Sequence, residues 1–146
     1  LRCLKSTKNW KGRGARNNGE IIAYTIGDKQ DTAFVLDTLD QLPQTTDCLL
    51  HSDQGSVYTS FDYQNQIKTK GITISMSRKG IPSDNACIES FHASLKSETF
   101  YLDGLTNEPT SIVIEIVKKY INYYNESRIQ QKLDYQSPID YRKSAV

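Results

Sequence analysis

CLLHSDQGSVYTS, residues 48–60, is the stretch on which the fold turns. A brief apolar run halts at Asp53, and Gly55 and small polar residues follow. Such a run, bounded by turn-forming residues, reads as a short strand buried on both faces and ending on a carboxylate. In an open α/β sheet, chemistry sits beyond the C-terminal ends of strands, so Asp53 stands where a functional acid belongs. An Asp at that place equally suits the first position of a turn.

The neighbouring segments supply the rest of an α/β pattern. Upstream, GEIIAYTIGD places Ile21, Ile22, Tyr24 and Ile26 in a strand between Gly19 and Gly27. Asp31 opens DTAFVLDTLDQL, where Val35, Leu39 and Leu42 recur at helical spacing until Pro43. Downstream, SFDYQNQIKTKG predicts a weaker helix closed by Gly71, and ITISMS a third strand. Pro82, Ser83 and Asp84 form a helix-start cluster for the run reaching Phe100. After a break at Asp103 and Gly104, Val113, Val117, Tyr120 and Tyr124 mark one face of another helix. The tail from Asn125 reads as turn-rich, and the first 19 residues show neither period. With no repeat or linker, the expectation is an atypical basic segment, 1–16, followed by one α/β domain, 17–146.

Composition narrows the class without naming a function. The 146 residues are 37% hydrophobic and 24% charged, ordinary for a globular domain. No apolar run approaches the roughly 20 residues needed to span a bilayer, so no membrane partner is expected. Cys3, Cys48 and Cys87 are scattered and odd in number, which suggests neither a disulfide framework nor a zinc site and fits a reducing cytoplasm. The net charge of +1 conceals an asymmetry, because six of the 18 basic residues fall within the first 20 positions. A basic tail of this kind suits nucleic-acid contact or a solvated end alike.

A second carboxylate, Glu89, lies in the opening turns of the helix that starts near Ser83. His92 and Ala93 follow one turn later. Lys96, seven residues on, falls about 20° off the Glu89 direction and roughly 10 Å along the axis. Two such acids can hold hard divalent ions that activate an oxygen nucleophile and stabilise a leaving oxygen in phosphoryl transfer. Lys96 suits a backbone phosphate. On spacing alone, surface solvation is the stronger reading of both acids.

The wording around them carries more. HSDQGSVYTS, GITISMSRKGIPSDNACIESFHASLKSE, YINYYNESRIQQKL and SPIDY together resemble the integrase core of bacterial insertion-sequence transposases, closest to the insertion-sequence-three family. Thirty-five residues separate Asp53 from Glu89, the D,D-35-E spacing of that family and of retroviral integrases, and Lys96 occupies its basic position. The resemblance implies a ribonuclease H-like α/β fold, a mixed central sheet flanked by helices. It implies Mg²⁺ or Mn²⁺ held by three carboxylates, DNA (element ends and target) and other transposase subunits as partners, and a bacterial cytoplasmic setting near the nucleoid. It makes Asp53 the second acid and Glu89 the third, with Gln54, Gly55 and Ser56 shaping the adjoining loop and Asn85, on the approach to the helix, a DNA-binding residue. Arg78 and Lys79, with Lys68 and Lys70, are candidate phosphate contacts, or a solvated face.

One part of the family pattern is missing. The first acid belongs to a first-strand segment resembling W-x-T-D-I-T, and no such segment occurs here. The first strand or strands are therefore expected to be lacking, as in a truncated or frameshifted copy. Asp28 and Asp31 are the nearest upstream acids but follow the wrong strand. The functional expectation is a transposase core fragment impaired in strand transfer. The alternatives are a non-catalytic binder of DNA or of an intact transposase, and a decay product without a role. His51, two residues before Asp53, is expected to pack or hydrogen-bond, and Tyr120, Tyr123 and Tyr124 to pack the last long helix instead of stacking on bases.

Overall fold

A computed structural model describes residues 2–5, 18–27, 31–42, 49–78, 86–102 and 108–144. The chain forms two compact units, Leu1–Asn85 and Ala86–Val146.

In the first unit, strand β1 (Arg2–Lys5) pairs antiparallel with β2 (Ile21–Thr25), with a register irregularity between Leu4 and Lys5. This corrects the expectation of an opening without a strand. Four residues are too few to display a period, and pairing to β2 supplies what the local pattern lacks. Helix α1 (Thr32–Asp40) begins where expected, because the Asp31 carboxylate accepts a hydrogen bond from the Phe34 N–H at 2.9 Å.

Next come β3 (Leu49–Ser52), α2 (Phe61–Thr69) and β4 (Thr73–Met76). β3 and β4 are parallel, with Leu49 opposite Thr73 and Ser52 opposite Met76. Parallel neighbours need a crossover, and α2 provides it. The helix closes on Gly71, whose φ of 69° puts it in the left-handed region. The Ile72 N–H then reaches the Ile67 carbonyl and the Gly71 N–H the Lys68 carbonyl, a Schellman closure that buries Ile67 against Ile72.

Both strand senses expected of a mixed sheet are present, as two separate two-stranded ladders among the described residues. Burial along β3 alternates instead of covering both faces: Leu50 and Ser52 are buried, Leu49 and His51 half-buried. Ala23, Val35, Leu39, Leu50, Tyr63 and Ile67 form the heart of this unit's core.

The second unit contains α3 (Ala86–Leu95), one π-helical turn (Lys96–Phe100), α4 (Thr110–Glu126), a short 3₁₀ turn (Gln131–Leu133) and α5 (Pro138–Ser144). The helix-start cluster Pro82, Ser83 and Asp84 lies outside the described residues. The expected α4 face is present, with Val117, Tyr120, Ile121 and Tyr124 buried. Phe91 of α3 meets the Tyr124 ring edge-on at 4.9 Å between centroids, and Tyr120 at 6.1 Å. The tail read as turn-rich ends instead in α5. Ser137 caps it, accepting from the Asp140 N–H and donating its hydroxyl to the Asp140 carboxylate, with Pro138 at the first helical position.

Candidate active site

Asp53 is the first residue beyond β3, at the C-terminal end of the parallel pair. Its backbone path is set by the ladder, extended by the Ser77 N–H donating to the Ser52 carbonyl at 2.8 Å. The side chain is exposed, and its Oδ1 accepts from the Gly55 N–H at 2.9 Å. A Cβ on Gly55 would stand 2.9 Å from that same Oδ1, so a side chain there would push the carboxylate out of this position. Gly55 then starts the turn that carries Tyr58, whose N–H donates to the Gly55 carbonyl at 2.9 Å. Oδ2 has no hydrogen-bond or ion-pair partner among the described residues. Below, buried Tyr63 has its phenol pushed up, first by burial, then by Tyr58, with the Asp53 charge adding.

His51 is held as expected: its Nδ1 lies 3.0 Å from the Ser75 Oγ across the β3–β4 pair. Lys70 pairs with Asp40 at 3.3 Å. Arg78 and Lys68 are exposed. Lys79 and Asn85 lie outside the described residues.

In the second unit, α3 carries Glu89 in its first turn and buries Phe91 and Leu95 on the opposite flank. That amphipathic division turns Glu89, Ala93 and Lys96 outward together. Glu89, His92, Lys96 and Tyr101 line one open groove of about 740 Å³. Neither Glu89 nor Lys96 has an ion-pair or hydrogen-bond partner among the described residues. Sequence reasoning grouped Glu89, His92 and Lys96 correctly but missed Tyr101, which α-helical spacing would place well away from Lys96.

The far side of the π-helical turn is clamped. Arg128 Nε donates to both Glu98 oxygens, at 3.0 and 2.9 Å, and the Tyr120 hydroxyl donates to Oε2 at 2.9 Å. Arg128 also lies over the Tyr124 ring, 5.5 Å from its centroid. The guanidinium bonds hold the Glu98 carboxyl below the ordinary glutamate range, opposed by burial and aided by Tyr120. Tyr120 itself is pushed up by burial and by its bond to Glu98. Tyr120 and Tyr124 are thus packing residues, as expected, whereas Tyr123 lies exposed on the helix with its ring 6.0 Å from that of Tyr120.

As donors, Asp53 and Glu89 are exposed carboxylates without an ion-pair partner among the described residues, and oxygen ligands of that type are what a hard divalent cation takes. Among the described residues, no three His, Cys, Asp or Glu side chains gather around one point. Asp53 belongs to the first unit and Glu89 to the second.

The arrangement of strands and helices places the chain in the ribonuclease H-like class of integrase cores. It overlays the catalytic core domain of BIV integrase with a TM-score of 0.64, at 24% identity, over 88% of this chain and 81% of that one. Two family patterns described as "Integrase core domain" match residues 16–82 and 70–138. Transposase InsK of insertion sequence element IS150 from Escherichia coli K12 is 44% identical over 129 residues, covering 86% of this chain and 45% of InsK. The transposase of IS904 from Lactococcus lactis is also 44% identical over 129 residues, covering 85% and 50%. A transposase-like protein of Haemophilus influenzae is 38% identical over 133 residues, covering 88% and 60%. The chain belongs to the integrase-core family, on the insertion-sequence transposase branch. It spans about half the length of these relatives. That family is generally dependent on divalent metal ions, and no described helix is long and apolar enough to cross a membrane.

Proposed function

We propose that residues 17–146 form a transposase core that supplies the second and third carboxylates, Asp53 and Glu89, of a DNA-cleaving and strand-transferring site. The observation carrying this is the pair of exposed acids at the D,D-35-E spacing, neither with an ion-pair partner among the described residues, one at a parallel strand's C-terminal end and one in the groove that Lys96 also lines. Asp53 and Glu89 would hold Mg²⁺ or Mn²⁺, which when bound supplies Lewis-acid activation of the attacking oxygen and neutralises charge on the leaving one.

The chain's own contribution is positioning. The Gly55 N–H fixes one Asp53 oxygen and leaves the other for a ligand. The exposed Lys96 ammonium takes a DNA phosphate in the groove that Glu89 also lines, with Arg78 as a further phosphate contact. The partners under this reading are element-end and target DNA and further transposase subunits, in the bacterial cytoplasm beside the nucleoid.

Two carboxylates where the chemistry uses three make residues 1–146 poor at strand transfer by themselves. The purified chain should bind element-end DNA more tightly with Mn²⁺ than with EDTA, yet give no strand-transfer product. Robust transfer abolished by Asp53→Asn would overturn the two-acid reading. Binding that ignores Mn²⁺ would overturn the metal assignment.

A further inference from the structure

We propose that Tyr101 is a DNA-contacting residue whose ring stacks on an unpaired base of the strand whose phosphate Lys96 holds. The inference rests on the transposition reading above and adds a contact to the same groove.

The argument begins with backbone geometry. The Tyr101 N–H donates to the Lys96 carbonyl at 3.0 Å, the i→i+5 bond of a π turn. In an α-helix, residues five apart point about 140° away from each other. A π turn of roughly 4.4 residues cuts that to about 50°, bringing the ring back to the lysine's side. Tyr101 accordingly lines the same groove as Glu89 and Lys96.

Among the described residues, nothing uses the ring. Tyr101 is 69% exposed, among the most exposed of the large apolar side chains, and no aromatic or hydrogen-bonding partner engages it among the described residues. The turn that aims it is nevertheless fixed, since Glu98 in its middle is held by Arg128 and Tyr120. The Thr99 hydroxyl adds a bond to the Leu95 carbonyl. A wide helical turn anchored on its inner side and presenting an idle aromatic outward is a preorganised contact, with its ordering cost already met in the free protein.

Ligand chemistry follows from the neighbours. A cation about one turn from a flat ring, both lining one groove, matches a nucleotide, phosphate to Lys96 and base to Tyr101. An unpaired base is specified because a duplex keeps its faces stacked, whereas a splayed strand end offers a free π surface.

The test uses the full 146-residue chain and a duplex with a short single-stranded tail carrying 2-aminopurine, read by anisotropy and by 2-aminopurine quenching. Tyr101→Ala should weaken binding about tenfold and abolish quenching with an unchanged salt slope, while Tyr101→Phe restores both. Lys96→Ala should instead flatten the salt slope by roughly 0.7–0.9. Tyr101→Ala that binds and quenches like the parent overturns the stacking contact and leaves DNA binding intact. A parent chain that binds no DNA overturns the transposition reading and this inference with it. Tyr101→Ala should melt within about 1 °C of the parent, as expected for an exposed side chain; a larger drop would assign the ring a structural role and also overturn the proposal.

Discussion

Replacing Arg128 with alanine removes the guanidinium that grips both Glu98 oxygens and covers Tyr124. The Glu98 and Arg128 side chains are 32% and 24% exposed, between a surface pair and a buried one. Surface pairs contribute up to about 1 kcal/mol and broken buried pairs cost about 3–5, so the loss here is about 2 kcal/mol. The cation–π contact adds about 0.5–1 kcal/mol. For a chain of this size each kcal/mol shifts Tm by roughly 2–4 °C, so the variant should melt roughly 5–10 °C lower at neutral pH. The sign of the pH dependence follows from the depressed Glu98 carboxyl. Its stabilising bond is fully present above the unfolded value near 4.5 and is lost as pH falls through the lower folded value. The Tm gap between parent and Arg128→Ala, followed by circular dichroism, should therefore be constant from pH 7 to about 5 and shrink below 4.5. A gap under 1 °C at pH 7, or one undiminished at pH 3, would refute the clamp.

Three further outcomes follow from local geometry. Gly55→Ala puts a methyl against the Asp53 Oδ1, so it should erase most of the Mn²⁺-induced Tm increase while lowering the metal-free Tm by only a few degrees. Gly71→Ala meets no neighbouring atom but forces a side chain into the left-handed region, costing about 1–2 kcal/mol in urea unfolding with an unchanged m-value. Ser137→Ala removes the α5 cap and should cost about 1 kcal/mol by the same measurement.

Where local rules were sufficient, the sequence was legible. The Asp31 cap, the Gly71 closure and the apolar periods of α1 and α4 all follow from single-turn chemistry. The Ser137-Pro138-x-Asp140 cap was equally local and was overlooked among turn-forming residues. What could not be read depends on distance or on register. β1 exists through pairing with a strand 16 residues beyond its end. The Glu98–Arg128 clamp joins residues 30 apart, and neither carries a local signature. The π turn has no periodic signal because it changes the period, which is why Tyr101 was assigned no place beside Lys96. Asp53 and Glu89 are singled out by a family resemblance, since on spacing alone surface solvation is the stronger reading.

The shared-cation claim is tested most directly by Mn²⁺ binding, followed by electron paramagnetic resonance on the parent, Asp53→Asn, Glu89→Gln and the double variant. If the two carboxylates grip one ion, each single change should remove most of the binding and the pair should remove little more, a strongly non-additive cycle. Independent, additive losses, or a single variant that binds like the parent, would contradict it.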